Sequence, residues 1–262
     1  MKACLSVLRI RAACETQYRS AMFSGMITQL FFGLLLIAVY RAFQIPTDPA
    51  AIAGTATYVW IQQAFFRMGI GGDYGLSNAI YTGSIAYELC RPLHPYAYWY
   101  TRDIAYRSVA SFSRAALMLP IALLLPVGWG ISAPASLPAL LAALCALLMG
   151  VLIASASFQI IQAYTMRTLD FRGLSNVYSA MLVLFTGNLL PLTLFPESWQ
   201  PVLRAVPFAQ ILDIPIRLYT GALPLSSLPG IFAMQLAWLA TFVVVGLWAW
   251  NANLKRLVVQ GG

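Results

Sequence analysis

Charged side chains are scarce in this sequence, and their scarcity excludes a water-soluble protein. Only 9% of the 262 residues are charged, while 60% are hydrophobic. A typical soluble domain carries about a quarter charged residues. No soluble core is large enough to hide so much apolar surface, so a lipid bilayer must surround part of the chain. The sequence therefore predicts an integral membrane protein.

Histidine and cysteine are also rare, which leaves little material for a metal site or a disulfide framework. The four cysteines, Cys4, Cys14, Cys90 and Cys145, form no C-x-x-C pair. One imidazole, that of His94, cannot hold a metal ion alone. We interpret His94 as a loop residue, and we expect neither a metal nor a cofactor in this chain.

A phosphate-binding motif of the form G-x-x-x-x-G-K-[ST] is absent as well. The glycine cluster Gly69, Gly71, Gly72 and Gly75 has no lysine near it, and we interpret it as a flexible helix exit. No clustered His, Ser and carboxylate set indicates a catalytic site. We therefore expect no enzyme activity in this chain, and any transport must take its energy from an ion gradient or a partner subunit.

The sequence does contain long apolar runs, from which we predict six membrane spans. The hydrocarbon of a bilayer is about 30 Å thick, so a helical span needs about 20 residues. The first, fourth and sixth runs are the clearest, because no charge interrupts Met22 to Val39, Leu137 to Ile160 or Ile231 to Trp250. The predicted spans are 22–43, 50–70, 106–127, 137–160, 175–195 and 231–250, within a single all-α transmembrane domain at 1–262.

The basic residues predict the orientation, since lysine and arginine are retained on the cytoplasmic side. With both termini inside, only Arg41, Arg204 and Arg217 lie outside. The net charge of +8 is then a feature of topology, and a nucleic-acid partner is not expected. The basic residues placed inside are Lys2, Arg9, Arg11, Arg19, Arg67, Arg91, Arg102, Arg107, Arg114, Arg167, Arg172, Lys255 and Arg256.

The N-terminal residues predict an amphipathic helix on the inner leaflet. Apolar residues recur at helical spacing there, and Arg11, Glu15 and Arg19 follow one another at i,i+4. An unstructured basic tail is the alternative. In the second span, Thr55, Gln62 and other polar residues indicate a helix buried in the bundle or lining a path.

Two connections are unusual. The predicted cytoplasmic connection from Gly71 to Asp103 is long and contains a short amphipathic helix that Pro92 ends, available to a soluble partner or to lipid headgroups. Tyrosines and a tryptophan at 96–100 mark re-entry into the bilayer. Asp103 and Arg107 either pair or extend toward the cytoplasm.

The external connection from Phe195 to about Pro229 is rich in proline, yet much of it is apolar. We predict short helices that dip into the outer leaflet and return, shielded by neighbouring protein. Asp213 and Arg217, four residues apart, are predicted to form a local pair.

Taken together, these features resemble the membrane subunit of a type-2 ABC exporter along the whole chain. That family has an N-terminal amphipathic helix, six spans with both ends cytoplasmic, a coupling helix between spans two and three, and a re-entrant hairpin before span six. The stretch T-G-S-I-A-Y-E-L-C-R-P-L at 82–93 also resembles the Gly-x-Ile...Leu-x-Arg-Pro-Leu signature of a bacterial branch of six-span permeases in this family.

The resemblance implies a bacterial inner-membrane location and a cytosolic ABC ATPase subunit that carries ATP and Mg. It also implies a second permease chain, identical or a sister, with spans two and five facing each other across the dimer axis. The implied ATPase-docking residues are Ile85, Glu88, Leu89, Arg91, Pro92 and Leu93. The implied substrate-path residues are Gln62, Phe65, Phe66, Thr186, Asn188 and Phe195.

Aromatic and amide groups together suit an amphipathic drug-like or lipid-like cargo. Taken singly, each path residue is better explained by ordinary helix packing. Two other functions stay open at this point: a gradient-driven secondary carrier, which would show internal repeats and a buried ionisable residue, and a lipid-modifying membrane enzyme.

Overall fold

The computed structural model describes residues 2–17, 19–43, 49–168, 171–255 and 257. Within these ranges the chain is helical and forms no β-strand. Short 3₁₀ helices lie at Phe66–Gly69, Leu192–Leu194, Glu197–Trp199 and Leu225–Ser227. The α-helices are α1 (Lys2–Gln17), α2 (Arg19–Ala42), α3 (Pro49–Ala64), α4 (Gly75–Tyr81), α5 (Ile85–Leu89), α6 (Pro95–Leu123), α7 (Leu137–Thr168), α8 (Arg172–Phe185), α9 (Gln200–Ala205), α10 (Asp213–Thr220) and α11 (Leu228–Leu254).

Three helical segments in the described ranges are long and apolar enough to cross a membrane. They are Met22–Ala42, Leu137–Thr168 and Leu225–Leu254. The second and third segments contain the fourth and sixth predicted spans, and the first segment covers the first predicted span as far as residue 42. These three were the runs without a charge. Helix α6 has sufficient length at 29 residues, but it carries Arg102, Asp103, Arg107 and Arg114.

The second and fifth predicted spans are longer than the helices that occupy them. Helix α3 ends at Ala64 rather than near residue 70, and the chain tightens into the 3₁₀ turn, where Met68 N–H donates to the Phe65 carbonyl. Helix α8 ends at Phe185 rather than near residue 195, because Gly187 adopts φ +84° and Pro191 follows. At about 1.5 Å per residue, α3 is about 24 Å long and α8 about 21 Å.

Helix α6 begins eleven residues before the predicted start of span three. His94 caps it, since its Nδ1 accepts a hydrogen bond from the Tyr96 N–H, and Pro95 occupies the first helical turn. The aromatic residues at 96–100 therefore lie in the first turns of a helix rather than in a connection. The connection after α3 is correspondingly shorter than predicted, and we call residues 70–94 the coupling segment.

Helix α7 is the centre of the packing. It contacts α6, α10 and α11, and its buried face consists largely of alanine, glycine and serine. Small side chains let helix backbones approach closely, which is how helices associate where water supplies no driving force. At Gly150, an added Cβ would lie 2.3 Å from the backbone carbonyl oxygen of Ile211, so the 206–212 stretch touches the α7 backbone directly.

Two of the predicted local features are present. Residues 2–17 form a helix that packs along α6, which confirms the predicted N-terminal helix over the unstructured tail, and Arg11 pairs with Glu15 at 2.7 Å. The connection before α11 contains short helices, of which α10 is almost entirely buried against α3 and α7.

Replacing Gly150 by alanine is expected to destabilise the protein by about 1–3 kcal/mol, since the clash is with a backbone carbonyl that no rotamer change relieves. The free energy of unfolding in detergent measures the effect. Gly54→Ala is the matched control, because a Cβ there meets nothing within 4 Å, and it should be neutral or slightly stabilising. Equal behaviour of the two variants would contradict this packing.

Candidate functional site

The coupling segment offers an exposed surface around the short helix α5. Tyr87 is 80% exposed, and Tyr81, Leu89, Arg91 and Pro92 are also exposed. Tyr87 lies two residues after Ile85, about 200° around the helix, so it faces outward where Ile85 faces inward. The sequence interpretation missed Tyr81 and Tyr87. The helical offset from Ile85 is the signal that identifies Tyr87.

The six predicted docking residues divide into three groups by exposure. Leu89, Arg91 and Pro92 are exposed, whereas Glu88 and Leu93 are half-buried. Ile85 is 2% exposed and belongs to the chain's own apolar cluster with Leu76, Trp99 and Trp250, among others. Ile85 thus anchors α5 to the body of the protein, and the exposed residues form its outer surface.

Glu88 lies against the chain's own basic and aromatic side chains. Burial raises the pKa of the Glu88 carboxyl, and the nearby side chains of Arg102, Arg91 and Trp99 oppose that shift. Arg91 in turn lies over the Tyr98 ring at 5.1 Å. Glu88 therefore connects α5 to the start of α6 as well as lying beside the exposed surface.

A buried ion pair fixes the beginning of the coupling segment to α6. Arg107 Nε lies 2.7 Å from Asp103 Oδ2, with the two side chains 0% and 1% exposed. Arg107 also donates to the backbone carbonyls of Met68, at 2.9 Å, and Gly71. Asp103 accepts from the Asp73 N–H at 2.7 Å. The predicted choice between pairing and extension toward the cytoplasm is thus resolved in favour of the pair.

Asp73 extends this network to α1 and α7, and it adds a further contact with α6. Its carboxylate pairs with Arg102 of α6 at 3.1 Å and with Arg11 of α1 at 3.5 Å. Its backbone carbonyl accepts from Gln162 Nε2 of α7 at 2.7 Å. The same carboxylate accepts from the Gly75 N–H at the start of α4. The coupling segment is therefore bonded to α1, α6 and α7 around one residue.

The glycine cluster allows this close approach. A Cβ on Gly72 would lie 2.3 Å from the Phe158 ring and 2.7 Å from Asp103 Oδ1, and Gly71 has φ +43°. These glycines are needed where the backbone crosses α7 and the ion pair. The interpretation as a helix exit is correct in position, and the structure adds the packing reason.

The far end of the coupling segment is joined to α11. His94 Nε2 lies 3.1 Å from Asn251 Oδ1, and Trp250 donates to the Gln159 carbonyl of α7 at 2.9 Å. Since Nδ1 of His94 accepts from Tyr96, Nε2 carries the proton that is donated to Asn251. His94 is thus a capping and bridging residue.

The structure brings most of the predicted path residues together inside one chain. Gln62 Nε2 donates to the Gly187 carbonyl at 2.5 Å, and Asn188 Nδ2 lies 3.5 Å from the Phe66 carbonyl. Thr186 is fully buried next to Asn188 and Gly69. Phe65 packs edge-on to Phe112 of α6, and Phe195 stacks on Trp199.

An apolar cavity of about 220 Å³ lies beside Phe65. Its walls come from α3, α6, α7 and α10, and they include Ile61, Leu119, Leu147 and Tyr219. A cavity with this lining accommodates a hydrocarbon group or an apolar ring.

A second buried ion pair stabilises α10, which lies against the middle of α3. Arg217 Nε lies 2.7 Å from Asp213 Oδ2, which confirms the predicted pair. Tyr58 of α3 donates to Asp213 Oδ1 at 2.7 Å, and Arg217 donates to Gln200 Oε1 at 3.0 Å. The short helices at 200–220 are therefore bonded to the body of the protein.

The long apolar helices indicate an integral membrane protein. A family model described as ABC-2 family transporter protein matches residues 26–261, so this chain belongs to that family. It is accordingly a membrane permease component of an ABC transporter, a kind of subunit that works with a separate ATPase. A comparison with curated proteins found no match.

Substitutions of Asp103 and Arg107 are expected to have non-additive effects on the free energy of unfolding, because the two side chains form one buried pair. Asp103→Leu alone leaves a buried arginine without its carboxylate and should cost about 3–5 kcal/mol in unfolding free energy. Asp103→Leu with Arg107→Met should cost less than the two single changes together, by about 0.5–3 kcal/mol.

Glu15→Gln supplies the comparison, since it removes only the partly exposed pair of Arg11 with Glu15 and leaves Arg11 paired with Asp73, so it should cost about 1 kcal/mol or less. Strict additivity in the double variant, measured by unfolding in detergent, would contradict coupling between Asp103 and Arg107.

Proposed function

We propose that this chain is the permease of an ATP-driven exporter in the bacterial inner membrane. A cytosolic ABC ATPase, which binds ATP and Mg, docks on the exposed part of the coupling segment. Two permease chains, identical or sister, enclose the path. The observation that carries this proposal is the Asp73 network, because it bonds the coupling segment to α1, α6 and α7 at once.

Such bonding makes α5 suitable for transmitting movement. A partner that pushes on Tyr87, Leu89 or Arg91 moves a segment whose other side is anchored by Ile85 and by Asp73. Packed cores and ion-pair networks shift between discrete arrangements rather than deforming continuously. The push therefore passes to α6 and α1 as a rigid displacement.

Alternating access follows if the ATP-bound partner binds one permease arrangement better than the other, since differential affinity is what shifts such an equilibrium. The amide contacts of Gln62 with Gly187 and of Asn188 with Phe66 hold α3 against the end of α8. We infer that they belong to a closed arrangement and that the path opens when these amides exchange their carbonyl partners for cargo, water or the second permease chain.

The cargo that fits is amphipathic and drug-like or lipid-like. The apolar cavity next to Phe65 supports an apolar group, and the neighbouring amides of Gln62 and Asn188 support a polar end. Membership in a permease family favours this function over a gradient-driven carrier and over a lipid-modifying enzyme.

If the ATPase docks on the coupling segment, two variants of this chain should bind it less tightly. Tyr87→Ala removes the most exposed aromatic side chain on α5, and Glu88→Ala with Arg91→Ala removes the charges beside it. Each should reduce recovery of a Walker-motif ATPase by about tenfold or more when the chain is purified from native membranes, as expected for central interface residues. Mass spectrometry of the purified complex gives the measurement.

Trp199→Ala is the control, because Trp199 is an exposed aromatic residue in the predicted external connection. It should leave ATPase recovery unchanged. Full recovery in both coupling-segment variants would place the docking surface elsewhere.

The proposed orientation predicts that Cys90 is accessible only from the cytoplasm. Cys90 is exposed at the end of α5, so a variant with Cys4, Cys14 and Cys145 changed to serine isolates it. A membrane-impermeant maleimide should label this variant only after the cells are permeabilised.

Ser226→Cys in a background without cysteine is the matched test of the opposite side, since Ser226 is exposed before α11. It should react in intact cells. Labelling of Cys90 in intact cells would overturn the cytoplasmic placement of the coupling segment.

A further inference from the structure

A polar cavity lies next to the Asp73 network, between the N-terminal helices and α6. Its volume is about 250 Å³. Arg67 and Arg114 line it together with the hydroxyl-bearing side chains of Tyr106 and Ser113, and Met22 and Val109 contribute apolar wall. Neither the proposed docking surface nor the predicted path uses these residues.

The two arginines have no carboxylate of their own. Among the residues that the structure describes, neither Arg67 nor Arg114 forms a salt bridge. The Arg67 guanidinium lies over the Tyr106 ring at 4.8 Å. Arg114 Nε is buried without a hydrogen-bond partner in the described chain. Buried charged donors are costly unless an acceptor meets them, so this arrangement calls for an anion.

Glu15 is the acidic residue in the cavity wall, and Arg11 neutralises it. The two side chains pair at 2.7 Å. Burial also raises the pKa of the Glu15 carboxyl, with Arg11 opposing the shift. Since the carboxylate of Glu15 is already paired, the charge that the cavity presents to a ligand is that of Arg67 and Arg114.

The depth of the cavity fits a lipid. From Tyr106 to Arg114 the wall follows α6 for eight residues, which is about 12 Å along the helix axis. Met22 stands at the start of the apolar run of α2. Arg114 packs against α2, where a Cβ on Gly25 would come within 3.0 Å of its guanidinium. Cationic groups and an apolar wall therefore share one cavity, as an amphiphile with an anionic end requires.

We propose that this cavity binds the phosphate of an anionic membrane phospholipid, with part of its glycerol and acyl chain against Met22 and Val109. The guanidinium groups of Arg67 and Arg114 donate to phosphate oxygens, a geometry for which the planar fork of arginine is suited. The hydroxyl of Tyr106 supplies a further donor, while Ser113, whose hydroxyl donates to the Val109 carbonyl, lines the wall. A bound lipid joins α1, α2 and α6 beside the Asp73 network, whichever cargo or partner the permease has.

The test uses the purified full chain in a neutral detergent. Phosphatidylglycerol, phosphatidylcholine and inorganic phosphate are added separately, and bound lipid is counted by native mass spectrometry while the unfolding temperature is recorded. We expect retention of phosphatidylglycerol with a raised unfolding temperature, and at least tenfold weaker binding of phosphatidylcholine. Equal binding of the two lipids, or an equal effect of inorganic phosphate, would overturn a site for anionic lipid.

Variants assign the binding to this cavity. Arg67→Gln with Arg114→Gln should weaken phosphatidylglycerol binding at least tenfold, whereas Arg204→Gln, which removes an exposed arginine elsewhere, should leave it unchanged. Ser113→Leu fills the cavity and keeps both arginines, so it should cause a similar loss even if the double arginine variant folds poorly. A folded Ser113→Leu protein with normal lipid binding would place the lipid elsewhere.

Discussion

The structure depends on the pairing of buried charges, above all on the ion pair of Asp103 with Arg107 where the coupling segment meets α6. Arg107 is fully buried, and an unpaired guanidinium there would be prohibitively costly. Its donors are used by Asp103 and by the carbonyls of Met68 and Gly71. Those carbonyls belong to backbone that has left the helix, so the same arginine satisfies polar groups that a membrane protein cannot leave unpaired.

Helix α3 is held in this way near its middle and just beyond its last turn. Tyr58, near the middle, donates to Asp213 in the second buried pair, and Met68, beyond the last turn, is bound by Arg107. Between them, Gln62 contacts the backbone where α8 ends. A helix too short to span hydrocarbon alone is thus positioned by side chains from α6, α10 and the end of α8. Ion-pair networks therefore contact α3 at Tyr58, near its middle, and just beyond Ala64, while an amide contact holds its last turn at Gln62.

Much of the fold follows from the sequence pattern, and the errors have one common cause. The uncharged runs identified three membrane-length helices, and i,i+4 spacing identified the pair of Asp213 with Arg217 and gave pairing as one of two alternatives for Asp103 with Arg107. The ends of α3 and α8 were wrong because hydropathy does not register a turn such as that at Gly187. The inward position of Ile85 was missed because apolar spacing indicates a face without indicating what covers it.

The sequence by itself determined that this chain is a membrane protein, where its apolar runs lie and that it carries no motif for binding ATP, because composition and local spacing depend on the chain alone. Tertiary structure decided which charges meet. Asp73 contacts Arg11 and Gln162 across 62 and 89 residues of chain, and no local pattern encodes such distant pairings. Among the residues that the structure describes, it also left Arg67 and Arg114 without a salt bridge, in a cavity whose lining carboxylate, Glu15, pairs with Arg11, because a side chain's partner depends on which helices the fold brings beside it.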